Sequence, residues 1–201
     1  MTKETNLLAC DLAELNEAFL GLVGRGTDAG LPPRVLAELR AIGPDTRQRL
    51  AALPFALFGF GFEDEAAWAR LLSPGVRDLD PGYVSGEPAT ERFTLLVLTV
   101  VRRMARDAPE SVSSWIGLPA GTRTRLDKLE IGTLGIVAAL AAPRLRGRLP
   151  GREPLWLGLI DAAARDDARY LRLLATQGQQ WTIRRCLGLE SPIAPARGFR
   201  R

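Results

Sequence analysis

Leu31, Pro32, Leu39, Ile42, Leu50 and Leu53 are matched 87 residues later by Leu118, Pro119, Leu126, Leu129, Val137 and Leu140. Apolar positions fall on apolar positions, and "GLPPRVLAELRAIG" and "GLPAGTRTRLDKLEIG" open on the same Gly-Leu-Pro. Self-similarity at a fixed offset constrains a fold more than any single helix does, because it asks the chain to build one structural unit twice.

Within the first copy, Leu8, Leu12, Leu15, Phe19 and Val23 recur at spacings of four and three, the stripe of an amphipathic helix that ends at Gly24 and Gly26. "LPPRVLAELRAIG" is a second helix with prolines where a first turn accepts them, and "PDTRQRLAAL" a third, with Asp45 or Thr46 as its cap. In "PFALFGFGFEDE", Phe58, Phe60 and Phe62 alternate with glycines, which is the period of a strand. The short helix "DEAAWARLL" closes this half.

In the second copy, "RFTLLVLTVVRRMARDA" is the long helix, and "PRLRGRLPG" stands where "PFALFGFGF" stands, with two extra residues ahead of the proline. A helix is expected over about 153–176, with a break or kink at Gly178 and a second piece packing back through Trp181, Ile183 and Leu187. The fold expected is therefore mainly α: two similar three-helix units, each ending in a short strand, plus a C-terminal helical segment. Its divisions are 1–72, a Pro/Gly/acid-rich linker at 73–91, a second unit at 92–152, helices at 153–190 and a basic tail at 191–201.

Charge divides along the same line. Residues 1–100 hold nine basic and fourteen acidic residues, a net −5, and residues 101–201 hold eighteen and nine, a net +9. Such asymmetry suits an acidic or polyanionic partner for the second half. Cys10 and Cys186 are too far apart in sequence for a metal motif or a disulfide framework, so a reducing, cytoplasmic setting is expected. The apolar run "FTLLVLTVV" is too short to span a bilayer, and no membrane partner is expected.

The chain contains no histidine, which removes the commonest general base and metal ligand. No catalytic residue, metal site or cofactor is expected, and the acids of "FEDE" suit a helix start. Nucleic acid is better served. "AGTRTRLDKLEIGTLGIVAAL" outlines two short helices joined near Ile131 and Gly132, with Arg123, Arg125 and Lys128 on the first. Arg144, Arg146 and Arg148 follow, and a guanidinium fork grips phosphate oxygens through two hydrogen bonds. Arginines on an exposed strand can equally serve to blunt its edge. Phe58, Phe60 and Phe62 are the candidate protein-docking residues.

"DLAELNEAFLGLV" followed by "LPPRVLAELRAIGPDTRQRLAALPFALFGFGFED" resembles the D subunit of the bacterial flagellar master regulator, and so does the second half through "RDAPESVSSWIGLP". The resemblance covers about 10–62 and 93–149. It implies a helical transcription regulator that works in an assembly with a partner subunit and binds promoter DNA. That family carries the unit once and lacks the C-terminal segment. The expected function is thus a DNA-associated regulator of motility-type genes, with duplex DNA and a protein partner and with oligomer formation. The alternative is a non-enzymatic protein–protein adaptor without DNA binding.

Overall fold

The computed structural model describes residues 3–73, 87–149 and 151–189. Most of the expected linker and the whole basic tail lie outside the described residues.

Helix α1 (Lys3–Gly24) turns its apolar stripe inward, with Leu12, Leu15, Phe19 and Val23 buried. It is followed by α2 (Pro33–Ala41), α3 (Pro44–Ala51), strand β1 (Phe58–Gly59) and α4 (Glu65–Leu71). The second half runs α5 (Pro88–Asp107), α6 (Pro109–Trp115), α7 (Ala120–Lys128), α8 (Leu134–Ala141), β2 (Arg146–Gly147), α9 (Glu153–Ala164) and α10 (Ala168–Cys186). The mainly α architecture of two similar helical units, each ending in a short strand, with helices following, is what the chain adopts.

The 87-residue offset has a backbone counterpart, because moving α2 by it gives the bounds of α7. Each of the two helices follows a left-handed glycine, Gly30 at φ 63° and Gly117 at φ 70°. Each is entered through an extended proline, Pro32 at φ −54°, ψ 143° and Pro119 at φ −64°, ψ 154°. Each leaves through an extended apolar residue, Ile42 or Leu129. The third helix corresponds too, except that its first turn in the second copy is a 3-10 turn, Ile131–Thr133.

The strands pair antiparallel, Phe58 with Gly147 and Gly59 with Arg146. Matching Phe58 to Arg146 and Gly59 to Gly147 makes these two pairs interchange when the halves are swapped, so a local two-fold axis runs between the strands. The register is therefore one residue from the one that aligning Pro54 with Pro143 suggests. Beyond the strands the halves exchange their last helices: α4 packs on α7, and α9 packs on α2 and α3. The leading helices α1 and α5 pack together beside this crossing.

Phe58, Phe60 and Phe62, candidates for protein docking or for half-buried rings, are instead fully buried. Their rings meet Phe19 of α1 and Phe93 of α5 in one cluster, with Phe58 edge-on to Phe93 at 5.1 Å and Phe62 against Trp68 at 4.7 Å. The alternation is of strand type, but the strand crosses between two helical units, so its phenylalanine side is buried while the half-buried Gly59 and Gly61 on its other side line a cleft. Burying one such ring contributes roughly 1.5–3 kcal/mol, which makes this cluster a large part of what joins the halves.

Asn16, fully buried on α1, fixes the approach to that crossing. Its amide donates to the carbonyls of Ala51 and Phe55, both at 3.1 Å, and its oxygen accepts from the Leu57 N–H at 2.9 Å.

The C-terminal segment divides differently from the expectation. Helix α9 stops at Ala164, Asp166 takes a left-handed φ of 57°, and the Asp167 carboxylate caps α10 by accepting from the Tyr170 N–H at 2.9 Å. Gly178 lies inside α10 and is buried. A Cβ there would stand 2.7 Å from Cζ of Phe55, so glycine lets the helix lie against that ring.

Candidate functional site

The segment 143–149 reaches across the local two-fold and is tied to the first unit by main-chain bonds. The Gly147 N–H donates to Ala29 C=O at 2.6 Å, and the Arg148 N–H to Leu57 C=O at 2.8 Å. In the reverse sense the Ala56 N–H donates to Trp115 C=O of the second unit at 2.8 Å. Gly147 is required here because the side chain of Leu31 occupies the space where its Cβ would be.

The ribbon's guanidinium groups then turn onto carbonyl oxygens. Arg148 donates from Nε to Phe58 C=O at 2.9 Å and from Nη2 to Ile116 C=O, so one side chain joins both units. Arg144 donates to Phe60 C=O at 3.4 Å and to the Asp64 carboxylate at 3.3 Å. Arg146 folds back on its own turn, donating from Nη1 to Pro143 C=O at 2.9 Å and Leu145 C=O at 2.7 Å. Charge-assisted bonds of this kind contribute about 1.5–3 kcal/mol each, less the cost of desolvating the charge.

Arg144, Arg146 and Arg148 line a cleft of about 360 Å³ together with Gly59, Phe60, Glu63, Thr182 and Arg185. Arg185 of α10 is ion-paired with Glu63 at 2.7 Å. The Arg148 guanidinium is enclosed, and burial pushes it down to about 10, opposed by the nearby Glu63 charge; it remains protonated at neutral pH. Asp64, which caps α4 by accepting from the Ala67 N–H at 3.0 Å, is held below the usual carboxylate range by that bond and by Arg144, against some burial. Burial pushes the Cys186 thiol up, with the Arg148 charge opposing it.

The remaining basic candidates do not join this group. Arg123, Arg125 and Lys128 sit on α7, and none lines the cleft. Arg123 donates to Pro109 C=O at 3.0 Å, while Arg125 and Lys128 are exposed in the last turn, where cations favour the helix dipole. Arg103 and Arg106 of α5 are paired with Asp11 and Asp127. Two short helices do occur over 120–141, but α8, the second of them, reads "LGIVAALA" and carries no side chain able to hydrogen-bond a base edge.

Thr182 and Arg185 carry no local signal that marks them, and they enter the cleft because α10 folds back over the crossing, a long-range packing event; Glu63, read in the sequence only as part of an acidic helix start, lines the cleft from the turn after β1. No family model, no curated protein and no solved structure matches this chain. Among the described residues, no helix is long and apolar enough to cross a membrane.

Proposed function

We propose that this chain is a non-enzymatic protein-binding adaptor, built as a single-chain intertwined counterpart of a dimeric helical regulator. The observation that carries this reading is the use of the ribbon. Arg144 and Arg148 bind backbone carbonyls across the junction of the two units, so the motif that pointed to phosphate is engaged in joining them.

Other observations support it. Acidic side chains of the two clusters at 63–64 and 161–167 have structural partners: Glu63 with Arg185, Asp161 with Arg165, Asp166 with Arg49, and Asp64 and Asp167 as helix caps. The outer surface of α10 and the residues just past its end offer apolar side chains, with Leu173 and Leu187 each 65% exposed and Leu189 64%. Resemblance to the D subunit of the flagellar master regulator fits a component of a larger protein assembly. The positive second half, with Arg125 and Lys128 exposed on α7, favours the second reading, a regulator that contacts duplex DNA within such an assembly.

Photo-crosslinking separates the two. A photoreactive phenylalanine is placed at Leu173 in one variant and at Arg125 in another, and both are expressed in cells that make the protein naturally. The adaptor reading expects a discrete, nuclease-resistant protein adduct from position 173 and none from 125. A nuclease-sensitive adduct from position 125 favours the regulator, and silence at both positions rejects the adaptor.

A further inference from the structure

Three observations about the arginine-lined cleft combine into a binding site. The first is charge. Arg144, Arg146, Arg148 and Arg185 line it with one carboxylate, Glu63, which is paired with Arg185; Asp64 just outside pairs with Arg144, and Asp28 and Glu87 line a separate pocket on which Arg146 also borders. Within the cleft and its Asp64 rim, four guanidinium charges against two carboxylates leave an excess of two positive charges among the described residues.

The second is donor supply. A guanidinium carries five N–H donors. The bonds of Arg144 run from Nε and Nη2, those of Arg146 from Nη1 alone, and those of Arg148 from Nε and Nη2. Among the described residues each fork thus uses two bonds and keeps donors beyond them. The third is shape: about 360 Å³ of concave space falls within the range of small-ligand sites and is too narrow for a duplex to enter.

We propose that this cleft binds a small free dianion with forked oxygens, of the phosphate or dicarboxylate class, held between Arg146 and Arg185 with Arg144 and Arg148 behind them. Such a ligand neutralises the two excess charges, and its oxygens match the planar forks. The Thr182 hydroxyl donates its single proton to Gly178 C=O at 3.1 Å and has none left for an anion, so recognition rests on the arginines. The inference does not need the adaptor reading: it uses the donors that these arginines keep beyond their bonds to carbonyls, and it concerns a small ion and not a duplex or a protein partner.

The test is isothermal titration calorimetry of the full chain with inorganic phosphate and, separately, with succinate, in chloride buffer of constant ionic strength. Saturable one-to-one binding of either dianion is expected. Arg146→Gln and Arg185→Gln should each weaken it roughly tenfold or more, as loss of a charge-assisted contact does. The remote, exposed Arg34→Gln should leave it unchanged. Among the described residues the Arg146 side chain hydrogen-bonds only within its own turn, so its variant is expected to keep a melting temperature close to the wild type and report on binding.

Binding of phosphate but not succinate assigns the phosphate class, and the converse assigns dicarboxylates. Overturning results are an absence of saturable heat with both probes, binding matched by chloride, or binding that survives both Arg146→Gln and Arg185→Gln.

Discussion

Replacing Asn16 by leucine tests how the chain is led into the crossing between its two units. Leucine is nearly isosteric, so the change leaves packing close to intact and removes hydrogen bonds. It leaves the carbonyls of Ala51 and Phe55 and the N–H of Leu57 without the Asn16 amide, in a site with no exposure. Orphaning a buried polar group costs about 1–3 kcal/mol, and with some relaxation the three together should cost about 3–5 kcal/mol. For a chain of this size that lowers the melting temperature by roughly 10 °C or more. Urea unfolding followed by tryptophan fluorescence should show the midpoint fall with the slope unchanged.

Asn16→Asp sharpens the test. Its carboxylate can still accept from Leu57 but would face the Ala51 and Phe55 carbonyl oxygens, which raises its folded-state pKa above the unfolded value. Its share of stability is then fully present below the unfolded pKa and lost as pH rises through the raised one. Relative to the wild type at each pH, this variant should be closer to normal at pH 4 than at pH 7. A leucine variant as stable as the wild type, or an aspartate variant without that pH trend, would refute the reasoning.

Other outcomes follow from single contacts. Gly147→Ala places a methyl on the Leu31 side chain and should cost about 1–3 kcal/mol, and its loss should be less than additive with that of Leu31→Ala in the double variant, as thermal melts would show. Asp64→Ala removes the cap of α4 and should cost about 1 kcal/mol at neutral pH. Because the folded-state pKa of Asp64 is lowered, that difference should be present above about pH 4 and fade as pH falls below it, measurable by urea melts across pH. Cys10 is exposed while the Cys186 thiol is raised by burial, so a thiol reagent at mildly alkaline pH should label one site quickly and the other slowly until the chain is unfolded.

Much of the fold is legible in the sequence because the repeated unit uses strong local signals. Gly-Leu-Pro ahead of α2 and α7 combines a left-handed glycine, a buried leucine and a proline that enters a helix, and each copy reproduces the same dihedrals. Local signals cannot say where a crossing strand is buried. Alternating phenylalanines look the same whether a strand edge faces solvent or a second helical unit, so Phe58, Phe60 and Phe62 read as docking candidates or as half-buried rings, and not as the fully buried cluster they form.

The structural use of the arginine ribbon is hidden from the sequence for the same reason. Its partners, the carbonyls of Phe58, Phe60 and Ile116, are backbone groups far along the chain, which no motif announces. The break between α9 and α10 was missed because "AAARDDAR" favours helix on composition, whereas Asp166 turns left-handed and Asp167 starts a new helix. Gly178 suggested a break because the ring of Phe55, which accounts for it, lies more than a hundred residues earlier.

Dividing the chain between its units tests the intertwined architecture most directly. Residues 1–86 and 87–201 are expressed separately and together, and mass by light scattering is measured alongside cooperative thermal unfolding. Each half leaves its strand and final helix without the other half to pack on. The account therefore predicts that neither half is a folded monomer, and that co-expression yields a one-to-one complex that melts like the intact chain. Either half unfolding cooperatively as a monomer would contradict it.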